Sequence, residues 1–440
     1  MSEYEAFQTP KGVHDILPDD HQYHTYIKKV IRHRARQAGF KRITTPIFEY
    51  AELFKRSLGG GSDVVKKEMF EFKDKKGRNL CLKPEGTAGV VRAYIENGMN
   101  QLPRPVQLYY IEPHFRYDRP QKGRYRQFWQ YGFEVLGESD PALDAQLINL
   151  AHKIHEDLRI DDVFALQLNT IGTIDSRKAY AQALEDFYVG KERSVPPEFR
   201  DLIYSNPMRL LDQKDEDLQI LAELAPSMKD YLDKESIEYH EEVKEYLDEL
   251  GIEYIENDKL VRGLDYYSKT VFEFWDKHDG AQNAVGGGGR YDGLVEFLGG
   301  QPTPAVGYAS GIERIIANMK KHKVRVPAKD NLHIFVAQLG KAAKKKCLPL
   351  IDKLRDAGLK TMGAVGKGSI NEQLRLANKF EVPYTVLMGL TEVREGTAII
   401  RDMERGEQET VDIEDVVERL VELIGEEDLD KYSPSELLYS

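Results

Sequence analysis

Basic residues beside a predicted pair of strands form the most distinctive chemical feature of this sequence. In residues 116–126, which begin at Arg116, five basic residues accompany a single acid. Such a loop can contact nucleic-acid phosphates, but a charge run is usually a solvated face, and a charged hairpin tip on a solvated sheet is the alternative. The strand predicted at 128–136 carries Gln130 and Glu134, which share one face because side chains alternate along a strand. The segment therefore predicts a sheet surface with a polar pair beside a basic loop.

Residues 83–87 place an acid, a glycine and a hydroxyl at the end of another predicted strand. The carboxylate of Glu85 and the hydroxyl of Thr87 flank Gly86, where the backbone can approach a ligand closely. Carboxylates and hydroxyls are suitable partners for an ammonium group. An ordinary strand-to-helix turn with Thr87 as its cap is the alternative. The segment thus predicts either a ligand-binding turn or a capped helix start.

Residues 260–267 combine Arg262 with a glycine, an acid and the adjacent Tyr266 and Tyr267. This is an unusual group of polar residues to find between strand signals. Both a binding loop and a plain surface loop are consistent with it.

A run of four glycines, residues 286–289, fits no nucleotide-binding motif. It lacks the spacing of G-x-G-x-x-G, and residues 361–369 lack that of G-x-x-x-x-G-K-[ST]. A glycine run within a strand instead lets a substrate lie flat against a sheet. Further along, Gly311 enters a predicted helix whose first turn carries Arg314, and an arginine there opposes the helix dipole unless it has an anionic partner.

The elements that must position these residues predict an α+β domain. A capped helix from Pro18 stops at Gly39, an edge strand or a strand entering a bend is expected within 40–47, and 48–58 has a helical pattern. Strand signals joined by turn residues between 68 and 136 predict an antiparallel sheet. The further predictions are strands at 68–72, 79–83, 106–116, 128–136, 163–170, 260–262, 270–275 and 305–310, and helices at 142–158 and 311–320.

Two regions differ from this sheet domain. Residues 173–250 have helical periodicity and almost no strand signal, which predicts a helical insertion. From residue 331 strands alternate with helices, which predicts a separate small α/β domain. Its strands are expected at 332–337, 359–363 and 384–388 and in a hairpin at 397–412, with helices at 341–357 and 370–379 and a closing helix. The acidic tail, 426–440, is expected to be ordered only by docking, if at all.

Composition limits the class of protein. A chain of 440 residues is long enough for two or three domains. Cys81 and Cys347 lie far apart, which argues against a disulfide framework and a structural zinc site. No apolar run approaches the ~20 residues that span a bilayer, so we expect a cytosolic protein without membrane contact. The net charge of −12 disfavours a nucleic-acid partner, yet residues 331–380 hold ten basic and three acidic residues, a local net charge of +7.

Taken in order, these segments resemble the histidyl-tRNA synthetase family over essentially the whole chain. One of them, from Arg262 to Tyr267, is peculiar to the histidine enzymes. The other matching segments are Lys11 to Pro18, Thr45 to Glu49 of the first class II motif, Phe115-Arg116 to Glu134 of the second, and Gly311 to Arg314 of the third.

The resemblance implies an ATP-dependent ligase that forms histidyl-adenylate from L-histidine and ATP, releases pyrophosphate, and then transfers histidine to the 3′-terminal ribose of its tRNA. Catalysis is assigned by family correspondence to Arg116, Arg262 and Arg314, and ATP binding to Arg116, Gly311 and Arg314. The residues assigned to histidine are Glu85, Gly86, Thr87, Gln130, Glu134, Tyr266 and Tyr267. Arg119 and Gln121 are assigned to the tRNA acceptor end, and no protein side chain is assigned to a metal.

The resemblance also implies a class II catalytic domain over residues 1–325, built on an antiparallel sheet, and an anticodon-binding α/β domain over residues 331–425. It implies Mg²⁺ accompanying the ATP, a homodimer formed partly by the first motif, and a cytoplasmic location. The main alternative is a non-catalytic paralogue that acts as a regulatory subunit in histidine biosynthesis. That type lacks the anticodon-binding domain and the Arg262 to Tyr267 pattern, and both are present here.

Overall fold

The computed structural model describes residues 7–59, 62, 64–119, 123–211, 213, 215–278, 284–327, 331–363 and 368–431. The chain divides into two compact units, Met1–Val326 and Pro327–Ser440, and each unit has hydrophobic clusters of its own. Among the described residues, no helix is both long enough and apolar enough to cross a membrane.

The first unit is built on a mostly antiparallel sheet. Within the described residues its strands are Lys41–Arg42 (β1), Phe48–Tyr50 (β2), Glu71–Lys73 (β3), Asn79–Leu82 (β4), Val106–Phe115 (β5), Gln127–Leu136 (β6), Phe164–Thr170 (β7), Tyr254–Glu256 (β8), Ser268–Asp276 (β9), Gly286–Arg290 (β10) and Ala305–Gly311 (β11). Eight of these described strands form one sheet in the order β1-β5-β6-β11-β10-β9-β7-β8. The edge pairs β1–β5 and β7–β8 are parallel, and β2, β4 and β3 form a separate small antiparallel sheet.

Helices pack on both faces of the large sheet. In the described part of this unit they are Pro18–Gln37 (α1), Ala51–Leu58 (α2), Thr87–Glu96 (α3), Pro141–Asp157 (α4), Ile174–Tyr188 (α5), Arg200–Ser205 (α6), Glu216–Glu223 (α7), Lys234–Glu249 (α8), Leu294–Phe297 (α9) and Ile312–Lys321 (α10). On β6, Tyr131 and Phe133 enter the core with α1, α4 and α10. Because side chains alternate, Gln130 and Glu134 lie on the opposite face, as predicted. The predicted α+β class is confirmed.

The predicted helical insertion is also confirmed, since α5 to α8 lie between β7 and β8. Its hydrophobic core is not separate from the sheet domain. Side chains of the insertion such as Tyr180 and Ile203 share one cluster with Leu260, Val261 and Tyr267, which follow the insertion in sequence. The segment after the insertion is therefore packed onto it.

The prediction of a strand at residues 260–262 is wrong. The Leu260 N–H donates to the Asn257 carbonyl at 2.9 Å, and the Leu260 carbonyl accepts from the Asn169 side chain at 2.9 Å. The apolar Leu260 and Val261 that produced the strand signal are buried in the insertion core instead. Strand β8, Tyr254–Glu256, pairs with β7 and was not predicted.

Three boundaries near the start of the chain also differ from prediction. The segment 40–47 forms only the two-residue edge strand β1. Helix α2 begins at Ala51 instead of Phe48, because Phe48–Tyr50 pair with β4. The strand expected at 68–72 begins at Glu71, after a π-helical turn over Val64–Glu68.

The second unit is a small α/β domain, as predicted. Within the described residues it contains strands Ile334–Gln338 (β12), Thr361–Gly363 (β13), Tyr384–Met388 (β14), Thr397–Asp402 (β15) and Gln408–Asp412 (β16), and helices Lys341–Asp356 (α11), Ile370–Lys379 (α12), Leu390–Glu395 (α13) and Val416–Ile424 (α14). The strand order is β13-β12-β14-β15-β16, with parallel pairs around β12 and antiparallel pairs beyond β14. Helices α11 and α14 contribute to one core and α12 to another. Helix α13 was not predicted, and residues 432–440 of the tail lie outside the described residues.

Candidate active site

A cavity of about 380 Å³ opens on strands β6, β9, β10 and β11. The structure brings five predicted site residues together in its lining: Arg116, Gln130, Arg262, Gly311 and Arg314. The three arginines come from the residue after β5, the loop before β9 and the first turn of α10. Their meeting at one cavity makes it a candidate site for an anionic ligand, although four acidic side chains also line it.

Arg116 is held by the loop that follows β4. Its Nε donates to the Pro84 carbonyl at 2.9 Å, while the Phe115 N–H donates to the Lys83 carbonyl at 3.0 Å. These bonds connect the end of β5 to the segment that carries Glu85. The guanidinium also lies 5.6 Å from the Phe128 ring, so its position is set from several sides.

Arg314 lies in an environment that disfavours its positive charge. Its Nη1 donates to the Ala284 carbonyl. Burial, together with the positive charges of Arg124 and Arg116, lowers the pKa of Arg314 to about 10. A nearby anion would offset both effects, which agrees with the prediction that an arginine at this helix start needs an anionic partner.

Arg262 is paired with Glu273, an acid on β9 that the sequence interpretation missed. The Arg262 guanidinium donates to Glu273, whose other oxygen accepts from the Trp275 indole at 2.6 Å. Burial opposes the charge of Arg262, but the Glu273 carboxylate and the Tyr267 hydroxyl outweigh it and raise the pKa of Arg262. Glu273 lies opposite Gly287 in the strand register, so its position could have been recognised only once the pairing of β9 with β10 was known.

The glycine run forms strand β10 between β9 and β11. Gly286 and Gly287 line the arginine cavity, in keeping with the expectation that a substrate lies on bare backbone there. Gly288 has a different role, because a Cβ at this position would lie 2.9 Å from the Phe272 ring. The glycine run therefore lines the cavity at Gly286 and Gly287 and allows close packing in the sheet domain at Gly288.

Further along β6 lies a buried polar cluster around Glu134. The Thr87 hydroxyl donates to one Glu134 oxygen at 2.8 Å, and the Tyr291 hydroxyl donates to the other. Burial raises the pKa of Glu134 to about 8. Tyr291 was not predicted as a site residue, and it stands directly after the strand formed by the glycine run. A Cβ on Gly307 would overlap the Glu134 carboxylate, so the glycine leaves room for this cluster.

Glu85 caps helix α3, the role that the alternative interpretation gave to Thr87. Its carboxylate accepts from the Thr87 and Ala88 N–H groups at 2.7 and 2.8 Å, and burial raises its pKa. Thr87 is thereby free to point its hydroxyl at Glu134. A Cβ on Gly86 would collide with the Tyr110 ring, so this position needs a glycine.

Tyr266 and Tyr267 complete the cluster. Their ring centroids lie 4.7 Å apart, and the Tyr266 ring lies 5.6 Å from the Tyr291 ring. Burial raises the pKa of both phenols. The predicted residues Glu85, Thr87, Glu134, Tyr266 and Tyr267 thus belong to one buried polar cluster, while Gln130 lines the neighbouring arginine cavity. Within the described residues, the buried Gln130 Oε1 has no hydrogen-bond partner.

Of the two residues predicted to contact the tRNA acceptor end, Arg119 lies exposed on the loop after β5. Its N–H donates to the Asp118 carboxylate at 2.6 Å, and Asp118 lines the arginine cavity. Gln121 lies outside the described residues. Among the residues that the structure does describe, no three His, Cys, Asp or Glu side chains form a cluster that could hold a metal ion.

Comparison with known proteins identifies the family of this chain. A family model described as histidyl-tRNA synthetase matches residues 12–315, and one described as anticodon binding domain matches residues 333–423. The histidine–tRNA ligase of Dehalococcoides mccartyi is 43% identical over 411 residues, covering 93% of this chain and 98% of that protein. The histidine–tRNA ligase of Geobacillus kaustophilus is 40% identical over 427 residues, covering 96% of this chain and all of that protein.

A solved structure supports the same relationship. The crystal structure of apo S. aureus histidyl-tRNA synthetase has a TM-score of 0.79 and 33% identity, covering 94% of this chain and 100% of that one. The predicted fold class is confirmed by this likeness. Since the family model matches more than half of the residues and curated relatives match nearly all of them, the chain belongs to the histidyl-tRNA synthetase family.

Proposed function

We propose that this chain is a histidine–tRNA ligase. It activates L-histidine with ATP to histidyl-adenylate and then transfers histidine to the 3′-terminal ribose of its tRNA. The observation that carries the proposal is the meeting of Arg116, Arg262 and Arg314 around one cavity, together with the buried polar cluster around Glu134, which we assign as the histidine site and call the Glu134 pocket.

In the activation step a carboxylate oxygen of histidine bonds to the α-phosphorus of ATP. The bond from that phosphorus to the bridging oxygen breaks, and pyrophosphate leaves with the electron pair. Two anions approach each other, so positioning and positive charge dominate catalysis. Arg116 contacts the α-phosphate and the substrate carboxylate, Arg262 stabilises the developing charge, and Arg314 binds the γ-phosphate end beside Gly311. The depressed pKa of Arg314 supports this role, because a triphosphate would offset the repulsion from Arg116 and Arg124.

Histidine is bound in the Glu134 pocket. Glu85, Gly86, Thr87 and Gln130 surround the α-ammonium end, and the Glu134 carboxylate accepts from an imidazole N–H, while Tyr266 and Tyr267 close the pocket. Tyr291 joins this set because its hydroxyl donates to Glu134. A site with several buried hydrogen-bonding groups leaves them unpaired when another amino acid enters, and such a site can reject analogues by roughly 10⁴-fold.

ATP enters as its Mg²⁺ complex, so the metal is part of the substrate. The tRNA acceptor end meets the loop with Arg119 and Gln121. The catalytic domain spans residues 1–325 with its insertion at about 173–250, the anticodon-binding domain spans 331–425 and residues 426–440 form the tail. The net charge of +7 over residues 331–380 supports tRNA binding there. The location proposed for the protein is the cytoplasm.

The enzyme acts as a homodimer. The small sheet of β2, β4 and β3 exposes three aromatic side chains, Phe48, Tyr50 and Phe72, to 54%, 52% and 42%. Exposed aromatic side chains grouped on one sheet are typical of a protein interface, and this sheet includes the first class II motif.

Light scattering after size-exclusion chromatography tests the dimer. We expect a mass twice that of the 50.4 kDa chain. The double variant Phe48→Glu, Phe72→Glu should be a monomer, because each protomer would bury two unpaired charges in the interface. The matched control is Tyr204→Glu, an equally exposed aromatic residue on the insertion, which should remain dimeric. A monomeric wild type, or a dimeric double variant, would contradict this assignment.

ATP–pyrophosphate exchange without tRNA, measured with each amino acid separately, tests the enzymatic function. We expect exchange with histidine alone. Exchange with another amino acid would overturn the assignment of the Glu134 pocket. Absence of exchange with every amino acid would favour the regulatory paralogue instead.

A further inference from the structure

We infer that the helical insertion is a structural part of the histidine pocket. Two of its arginines, Arg177 and Arg209, hold the loop 263–267, which carries Tyr266 and Tyr267. They act as positioning residues that set the affinity for histidine without touching it. This inference rests on the proposed function and deepens it.

Arg177, on α5, binds the backbone carbonyls of the loop through its side chain. Its Nη1 donates to the Tyr267 carbonyl at 2.6 Å and to the Asp265 carbonyl at 3.2 Å. These acceptors lie in a segment that forms no strand. The guanidinium therefore supplies donors that a neighbouring strand would otherwise provide.

Arg209 lies in the 3-10 turn Pro207–Leu210 and is only 7% exposed. Its Nη2 donates to the Gly263 carbonyl at 3.1 Å and to Asp265 Oδ1 at 3.0 Å. Asn206 of the same turn donates to Asp265 Oδ1 at 3.0 Å. The insertion thus donates hydrogen bonds to the backbone carbonyls of residues 263, 265 and 267. It also donates to the one carboxylate of the loop, that of Asp265.

The loop also borders open space. A cavity of about 530 Å³ is lined by Asp265, Tyr266 and Tyr267, by Arg177 and the start of α5, and by residues of α2 and α9. Packing is therefore incomplete there, and apolar contacts alone do not prevent the loop from shifting. The directional bonds from Arg177 and Arg209 resist that movement.

A displacement of this loop would act first on histidine binding. The Tyr267 ring packs against Tyr266, and the Tyr266 ring packs against Tyr291, whose hydroxyl donates to Glu134. Tyr267 also belongs to the same hydrophobic cluster as the insertion. Arg116 and Arg314 are held elsewhere, because their side chains donate to the carbonyls of Pro84 and Ala284 and not to this loop. Binding of ATP should consequently change less than binding of histidine.

Steady-state exchange kinetics of Arg209→Met test the inference. We expect KM for histidine to rise about tenfold or more, as for loss of buried charge-assisted hydrogen bonds, while KM for ATP changes less than threefold. If the substitution only reduced the fraction of folded protein, the apparent kcat would fall and KM would stay unchanged. Arg209→Lys, which keeps the charge and loses the fork of donors, should show a smaller rise of the same kind, and it decides the question if Arg209→Met does not fold.

The matched control is Arg200→Met, in the same insertion, because Arg200 donates to Val195 and not to the loop. Its KM for histidine should equal that of the wild type. Asp265→Asn combined with Arg209→Met should raise KM by less than the product of the two single effects. Unchanged KM for histidine in folded Arg209 variants would overturn the inference, whereas a wild type without histidine-dependent exchange would overturn the proposed function instead.

Discussion

Replacing Arg116 with glutamine is expected to lower kcat for histidine-dependent ATP–pyrophosphate exchange by about 100-fold or more. Loss of one preorganised donor to a developing anionic charge typically costs about 3 kcal/mol of transition-state stabilisation. Arg116 should reach this figure because the Pro84 carbonyl fixes its side chain beside the cavity, so little reorganisation is needed during the reaction. The reduction in kcat is measured by ATP–pyrophosphate exchange of both proteins, with the concentrations of histidine and ATP varied.

Arg116→Lys separates charge from geometry. Lysine keeps the positive charge but lacks the fork of donors that binds an α-phosphate and a carboxylate together, so we expect it to recover only part of the loss. The exposed Arg193 of the insertion serves as a control, and Arg193→Gln should retain wild-type exchange. If folded Arg116→Gln stayed within threefold of wild type, the catalytic role of Arg116 would be wrong.

Replacing Glu134 with glutamine is expected to reduce kcat/KM for histidine by about 100-fold at pH 8.5, where the Glu134 carboxyl is mostly ionised. The carboxylate can accept hydrogen bonds at both oxygens, and the Thr87 and Tyr291 hydroxyls already donate to it. An amide offers one acceptor and two donors, so an imidazole N–H would meet a poorer partner, and buried mismatches of this kind cost about 1–3 kcal/mol. Competitive inhibition by histidinol, which retains the imidazole and ammonium, should weaken to a similar extent.

The pH dependence of the same reaction carries a second signature of Glu134. Burial raises its pKa to about 8 in the unliganded pocket, so the carboxyl is mostly protonated at neutral pH and becomes a full acceptor only as the pH rises. Wild-type kcat/KM for histidine should therefore increase between pH 7 and 8.5, by up to about tenfold. Ionisation of free histidine contributes equally to wild type and Glu134→Gln, so their ratio isolates Glu134. A ratio that is constant over this range would contradict the assignment.

Local patterns in the sequence were sufficient for most of the architecture, whereas the site residues were assigned through the family resemblance. Alternation along β6 put Gln130 and Glu134 on one face, because the side-chain period of a strand is two residues whatever the rest of the chain does. Helical periodicity identified the insertion, and alternating strands and helices identified the α/β domain. The roles proposed for Arg116, Arg262 and Arg314 came from the family resemblance of their segments, and arginine suits those roles because its fork of donors binds phosphate and carboxylate.

Tertiary structure alone decided which distant segments meet. Tyr291 donates to Glu134 across 157 positions of sequence, and Arg177 donates to Tyr267 across 90, and no local period encodes such pairs. The same limit explains the failed strand at 260–262, where apolar residues were buried by the insertion and not by a neighbouring strand. Burial and long-range pairing depend on the whole fold, whereas periodicity and residue chemistry are properties of short segments.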